Sequence, residues 1–249
     1  MYDKIAGCLF GAAFGDAWGA PTEFIRSTAE IEAQFGAGGP ETPLGYFGRK
    51  GQTPNPICVT DDTQMMIAVG EAIAQTRPPY TAATLEMPLR QAFVEWMVSP
   101  DNTRAPGMTC MSACRRLEER GLTWQKATVV NSKGCGANMR VQPIGLLNVD
   151  AITRAGLAQF QAALTHGHPT ALAASDLTAF TIAELLRGAP PATLPETLLS
   201  YIAEQRMVYH ADWLGDHYQQ PGVDSPESFI ARGWDECRDV TERLQDAVK

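Results

Sequence analysis

Apolar residues recur at three- and four-residue intervals along nearly the whole chain, and convincing strand alternation is scarce. Near the start, Ile5, Cys8, Leu9 and Ala12 share one face of a predicted first helix. Beyond Asp61, the residues Met66, Val69, Gly70 and Ile73 keep helical spacing and predict a buried helix through Gln75. Residues 84–99 set Leu89, Phe93, Trp96 and Met97 at helical offsets, with Pro88 tolerable only near that helix's start. Residues 109–121 pass from apolar to charged and stop at Gly121, and the segments 151–165, 170–188, 195–214 and 228–249 hold the same period. The pattern predicts an all-α fold, a compact multi-helix bundle forming a single domain over residues 1–249. Two intervals break it. Residues 35–58 are rich in Gly and Pro, and residues 129–148 form a glycine-bearing loop entering a short apolar segment. Long ordered loops inside a helical domain usually carry function.

Composition narrows the classes. With 45% hydrophobic and 19% charged residues the chain is an ordinary globular one, which excludes disorder. A formal charge of −8 and no cluster of Lys and Arg argue against a nucleic-acid partner. No apolar run is long enough to cross a membrane. The first twenty residues combine Lys4, an apolar stretch and small residues in the outline of a signal peptide, but Asp3 and Asp16 interrupt it, so a cytoplasmic location is expected. Cys8, Cys58, Cys110, Cys114, Cys135 and Cys237 have no paired zinc spacing and read as reduced core thiols.

Candidate chemistry lies in four short stretches. In "CVTDDTQMM", residues 58–66, two carboxylates stand between two threonines at a predicted helix start. Thr60 or Asp61 suits a cap there, and Asp61 with Gln64 fits a capping box. The same oxygens equally suit a hard cation such as Mg²⁺. In "GDAWGAPTEF", residues 15–24, Asp16 and Glu23 are acids among small and aromatic side chains, each able to be a cap or a solvated group. In "NSKGCGANMR", residues 131–140, Gly134 and Gly136 permit a sharp turn or close approach to a phosphate, and equally a plain flexible turn. The spacing is neither that of a P-loop nor that of a dinucleotide fingerprint. In "THGHPTALAAS", residues 165–175, His166 and His168 lack neighbouring metal ligands; orienting, substrate-contacting and capping roles all remain open.

The order of these stretches, with "RAPGMTC" at 104–110 between them, resembles the ADP-ribosylglycohydrolase family from about residue 3 to residue 245. That family includes the enzyme that reactivates dinitrogenase reductase and also the jellyfish lens crystallins. The resemblance implies a nearly all-α protein with a two-metal Mg²⁺ or Mn²⁺ centre at one end of the bundle. By position it makes Thr60, Asp61 and Asp62 metal ligands, and Glu23, Asp61 and Asp62 the catalytic carboxylates, with Glu23 at the metal or gating it. It further assigns Ser132, Gly134, Cys135, Gly136, Ala137, Asn138, Met139 and Arg140 to a cradle for the diphosphate of ADP-ribose, and sets His166 near the bound ribose. The implied reaction is hydrolysis of the glycosidic bond between ADP-ribose and a protein side chain, through an oxocarbenium-like transition state. The expected partner is ADP-ribose or an ADP-ribosylated protein.

Two departures qualify the pattern. Where some relatives carry an aspartate proposed as base, this chain has Ala105 and Pro106, with Asp101 a few residues earlier. The later Asp-x-Asp-Thr motif of the family has no counterpart up to Lys249. Half the metal shell is therefore expected to be absent, because the chain is an engineered or proteolytic fragment, because a second chain or self-association completes it, or because it is lost in a non-catalytic ADP-ribose binder or crystallin-like structural member.

Overall fold

A computed structural model of the protein describes residues 2–41 and 58–248. The middle of the loop expected over 35–58 lies outside the described residues. The helices are α1 (Tyr2–Gly19), α2 (Thr28–Phe35), α3 (Asp61–Gln75), α4 (Ala82–Val98), α5 (Met108–Glu118), α6 (Trp124–Ala127), α7 (Gln142–Gly145), α8 (Ala151–Ala163), α9 (Pro169–Arg187), α10 (Leu194–Gln205), α11 (Ala211–Leu214) and α12 (Pro226–Val248). Among the described residues the only bridge is an isolated parallel one between Val129 and His166. The all-α expectation holds.

The core is organised on α8. Every residue from Arg154 to Ala163 is buried, so the helix is enclosed on all sides by α9, α11, α4 and α7. Gly156 permits one of these contacts, since a Cβ there would lie 2.1 Å from Trp213 of α11. Gly233 does the same for α12, whose backbone approaches α9 so closely that a Cβ would stand 2.2 Å from the Pro169 carbonyl oxygen.

Three elements differ from the sequence pattern. The helix predicted over 195–214 is broken after Gln205, and α11 restarts at Ala211. Arg206, in the break, is drawn onto Asp235 of α12 at 2.8 Å, and the new direction delivers Trp213 to Gly156. Helix α4 starts ahead of residue 84, at a capping box made by Thr81 and Thr84, so Pro88 sits within the helix rather than at its start. Helix α2 was invisible to the pattern because it buries no side chain; Ser27 starts it by accepting from the Glu30 N–H.

Helix α1 carries part of the site yet is the least embedded. Among its residues only Ala17 is fully buried, while Phe10 is 76% and Phe14 55% exposed. Gly7, Gly11, Gly15 and Gly19 recur every four residues, and among the described residues no atom beyond the helix's own backbone and chain neighbours lies within 4 Å of a Cβ built on any of them. No described helix is long and apolar enough to cross a membrane.

Candidate active site

The last turns of α1, the first turns of α3 and the run from Met139 to Gln142 enclose a cleft of about 370 Å³. Ala12, Gly15 and Gly19 are small and leave its floor open, while Asp16, Glu23, Thr60, Asp62 and Gln142 supply its polar groups. Three stretches that are far apart in sequence thus meet in one place.

Asp16 is the keystone. Its Oδ2 accepts from the Thr60 N–H at 2.9 Å, the Thr63 N–H at 3.2 Å and the Thr63 hydroxyl at 2.6 Å. Its Oδ1 accepts from the Thr60 hydroxyl at 2.7 Å. A carboxylate from α1 thereby satisfies the free N–H groups at the start of α3, a capping task normally done from within the same strand of chain. Thr60 is the local cap, accepting from the Asp62 N–H at 3.4 Å. The capping box expected from Asp61 and Gln64 is not formed. Gln64 turns the other way, donating to the Asp101 carbonyl and accepting from Trp96.

The two adjacent aspartates part company. Asp62 faces the cleft, whereas Asp61 is buried and its Oδ2 accepts from the Gly107 N–H at 3.0 Å. The Asp61 N–H in turn donates to the Arg104 carbonyl. This two-way pairing clamps residues 104–107 across the start of α3, and Ala105 takes a left-handed φ of 56°, a conformation an alanine adopts only under constraint. Asp101, a few residues ahead of Ala105 and Pro106, does not line this cleft; it borders a separate groove between α3 and α4.

The glycine-bearing loop is pinned at three points. The Val129–His166 bridge fixes its start, the Gln161 amide donates to the Ala137 carbonyl at 2.8 Å, and Arg140 anchors its end. Within it lie a three-residue 3₁₀ turn, Cys135–Ala137, and the four-residue α7, which forms from the short apolar segment that the loop enters. Neither Gly134 nor Gly136 has a positive φ; close packing requires Gly136, whereas a Cβ on Gly134 would meet nothing nearer than His166 Nε2 at 3.6 Å. A Cβ on Gly136 would lie 2.8 Å from both the Cys110 sulfur and His166 Cε1.

Gly136→Val is therefore expected to act inward, displacing His166 and costing about 1–3 kcal/mol of stability. Urea unfolding beside ADP-ribose titration measures both, and unchanged stability and affinity would remove the loop from the site.

Arg140 departs from its expected place on the phosphate. It is wholly buried, stacks 4.2 Å over the Phe93 ring and donates to Gln161 and Thr165, so it holds the loop from beneath. Ala137 is likewise buried, while Met139 and Gln142 reach the cleft. Ser132 is hydrogen-bonded to Thr109. The two histidines separate: His168 caps α9 by accepting from the Thr170 N–H, and His166 lies buried behind the loop. Of the six free thiols, Cys110, Cys114 and Cys237 are core residues, but Cys135 is exposed and Cys8 and Cys58 are partly so.

A profile of the ADP-ribosylglycohydrolase family matches residues 1–248. The chain belongs to the ADP-ribosylglycohydrolase family. It is 32% identical over 179 residues to the ADP-ribosyl-[dinitrogen reductase] glycohydrolase of Rhodospirillum rubrum, covering 70% of this chain and 55% of that protein. It is 31% identical over 186 residues to an uncharacterised protein of Archaeoglobus fulgidus, covering 74% and 56%. To the ADP-ribosylarginine hydrolase Tri1 of Serratia proteamaculans it is 25% identical over 194 residues, covering 75% and 48%. The chain thus spans about half the length of the curated relatives it matches.

In this member of the ADP-ribosylglycohydrolase family the acids repel one another. Burial pushes the Asp61 carboxyl up to about 7, against the pull of the Gly107 N–H, with Asp62 and Glu23 raising it further. Asp62 is raised by burial and by Asp16, and Glu23 by burial, Asp62 and Asp16. Gln142 Oε1 and Asn138 Oδ1 are buried acceptors with no hydrogen-bond donor among the described residues. All-oxygen donors, crowded negative charge and acceptors in want of a donor fit a hard cation chemically. The shell is not closed, however: among the described residues no group of three or more His, Cys, Asp or Glu side chains converges to hold a metal. The sequence marked Asp16 only as a cap or a solvated group, of which the structure shows the cap, and gave Gln142 no role. An acid among small residues in "GDAWGA" was the available signal for Asp16; for Gln142 there was none.

Proposed function

We propose that this cleft hydrolyses the glycosidic bond joining ADP-ribose to a modified protein side chain. The observation that carries the proposal is the meeting of the "GDAWGAPTE", "TDDT" and "NMRVQ" stretches around one acidic cleft. Glu23 and Asp62 hold carboxylates where a ribose could sit, and negative charge there favours the oxocarbenium-like, partly cationic sugar of the transition state. Their raised proton affinity also makes either of them a better base toward an attacking water near neutral pH. The loop around Gly134 and Gly136 would receive the diphosphate, and Gln142 Oε1 would accept from a sugar hydroxyl. Thr60 and Asp62, with Asp61 behind them, would hold Mg²⁺ or Mn²⁺, which when bound orients ribose hydroxyls and makes bound water more acidic. The substrate is proposed to be an ADP-ribosylated protein.

A second reading is a binder that does not hydrolyse, favoured by the unclosed cation shell. Release of ADP-ribose from ADP-ribosyl-arginine and from an ADP-ribosylated protein, with Mg²⁺ or Mn²⁺ and after chelation, separates the two. Hydrolysis that falls on chelation, and falls by roughly 100-fold or more in Asp62→Ala with an unchanged circular dichroism spectrum, is expected. Metal-dependent ADP-ribose binding without release would select the binder. An Asp62→Ala protein as active as the parent would take the cleft out of the reaction.

A further inference from the structure

We infer that Arg140 and Thr165 lock His166 into one neutral tautomer, with Nδ1 bare and Nε2 carrying the proton, so that His166 is a fixed hydrogen-bond donor to an oxygen of the ligand. The inference rests on the proposed ADP-ribose site. It goes further by giving His166 a direction and a charge state, and by making Arg140 and Thr165 positioning residues.

Proton counting among the enclosed groups fixes the tautomer. Arginine can only donate. Its Nη2 lies 2.7 Å from Thr165 Oγ1, so that oxygen accepts from Arg140. The same Oγ1 is 2.8 Å from His166 Nδ1. If Nδ1 carried the proton, Thr165 Oγ1 would receive two donors, and its own hydroxyl hydrogen would have no acceptor among the described residues. Thr165 is 0% exposed, so water cannot take that hydrogen, and an unpaired buried donor is costly. The arrangement that leaves no enclosed donor of Arg140 Nη2 or Thr165 facing another runs Arg140 N–H to Thr165 Oγ1, then Thr165 O–H to His166 Nδ1. The neutral ring then bears its proton on Nε2.

The relay itself is held rigidly. Arg140 Nε donates to Gln161 Oε1 at 2.7 Å and Nη2 to the Gln161 carbonyl at 2.8 Å, while the guanidinium lies over Phe93. Gln161 passes the constraint on to the loop through the Ala137 carbonyl. The charged and titratable groups facing the imidazole are Arg140 and the Cys110 thiol, across Gly136. Burial and the Arg140 charge push His166 down to about 3, so the ring stays neutral throughout the physiological range.

At the other edge, no acceptor among the described residues is hydrogen-bonded to Nε2, although His166 is only 2% exposed. Nε2 points at the loop, 3.6 Å from where a Cβ on Gly134 would stand. Among the described residues Nε2 is not one of the fully enclosed side-chain atoms left without a partner, so this donor, fixed in direction and without a protein acceptor, is open to a ligand oxygen. ADP-ribose offers these as hydroxyl, ring and phosphate oxygens. Being neutral, His166 contributes direction rather than charge, and it does not serve as an acid or base in the reaction.

The test is nitrogen-detected NMR of the ¹⁵N-histidine-labelled protein between pH 5.5 and 8.5, with His166 assigned by His166→Asn. The expected spectrum shows His166 as the Nε2-protonated neutral form throughout, with and without ADP-ribose. An Nδ1-protonated ring, or titration near the ordinary histidine value, would overturn the lock whatever the protein binds. Thr165→Val, which keeps shape and removes the hydroxyl, is expected to yield mixed tautomers and to weaken ADP-ribose binding about tenfold. Thr165→Ser is expected to restore both. If the tautomer is as inferred but neither the parent nor any variant binds ADP-ribose, the lock stands and the ADP-ribose site is refuted. If Thr165→Val leaves the tautomer unchanged, the relay is refuted while the site stands.

Discussion

Asp16→Ala is expected to lower the unfolding free energy by about 3 kcal/mol, one of the two largest effects of any single substitution at the site. The Asp16 carboxylate accepts from two backbone N–H groups and two hydroxyls at the start of α3, and the alanine variant leaves all of them without that partner. Hydrogen bonds to a charged acceptor are worth more than neutral ones, and part of the loss is the cost of leaving Thr60 and Thr63 donors shielded and unpaired. Asp16→Asn is expected to cost less, about 1 kcal/mol, because its amide oxygen still accepts while its amide nitrogen cannot. Because α1 is otherwise so lightly embedded, loss of this anchor should also let it move away from α3 and open the cleft. Urea unfolding of the three proteins measures the first effect, and protease cleavage within α1 measures the second. A change under 1 kcal/mol for Asp16→Ala would mean that Asp16 does not tie the two helices together.

Asp61→Asn is expected to stabilise the protein at alkaline pH and to abolish ADP-ribose release. In the folded protein Asp61 is raised to about 7, whereas the unfolded chain ionises it near 3.8. Below the unfolded value both states hold the proton and there is no penalty. As pH rises from about 4 toward 7, the unfolded chain ionises first and stability declines, reaching its full loss above the folded value. Asparagine removes that decline, and its side-chain oxygen can still accept from the Gly107 N–H. The variant should therefore match the parent near pH 4 and exceed it by about 1–2 kcal/mol at pH 8. Urea unfolding at the two pH values checks the sign. A parent protein whose stability rises through this window would show that Asp61 is not held against its charge. Added Mg²⁺ should narrow the difference if the acidic cluster takes up a cation, since a cation relieves the same repulsion.

The expected gain in stability alongside lost activity is what a functional cluster predicts. Burial raises Glu23, Asp61 and Asp62, neighbouring acids raise each further, and among the described residues none of the three is paired with a Lys or Arg, so the fold tolerates them at a cost. A merely structural cap has no reason to keep that arrangement. Thr60 alone caps α3 locally, and the ion pairs that are present lie elsewhere, such as Lys133–Glu236 and Arg206–Asp235. Similarly, Ala105 at φ 56° is kept where it lets the Gly107 N–H reach Asp61.

The helices were legible in the sequence because burial is written locally. An apolar stripe at period 3.6 needs no knowledge of its partner, and α3, α5, α8 and α9 all follow from it. The resemblance of ordered motifs likewise pointed to the family before any geometry. What stayed hidden depends on contacts between distant residues. Helix α2 has no buried face to announce it, and the break at Arg206 follows from Asp235, 29 residues further on.

Site roles divide along the same line. That "TDDT" starts a helix is local knowledge, but which aspartate faces the cleft depends on the clamp from residues 104–107. Arg140 belonged by sequence to a loop suited to phosphate, yet the tertiary structure turned it inward onto Phe93, Gln161 and Thr165. By itself the sequence determined a helical chain carrying acids and glycines in a recognisable order, since propensity and periodicity act over a few residues. Only the tertiary structure decided that Asp16 caps another helix, that Asp61 and Asp62 face different ways and that His166 is aimed by Arg140, because hydrogen-bond satisfaction and desolvation depend on what surrounds a group rather than on what precedes it.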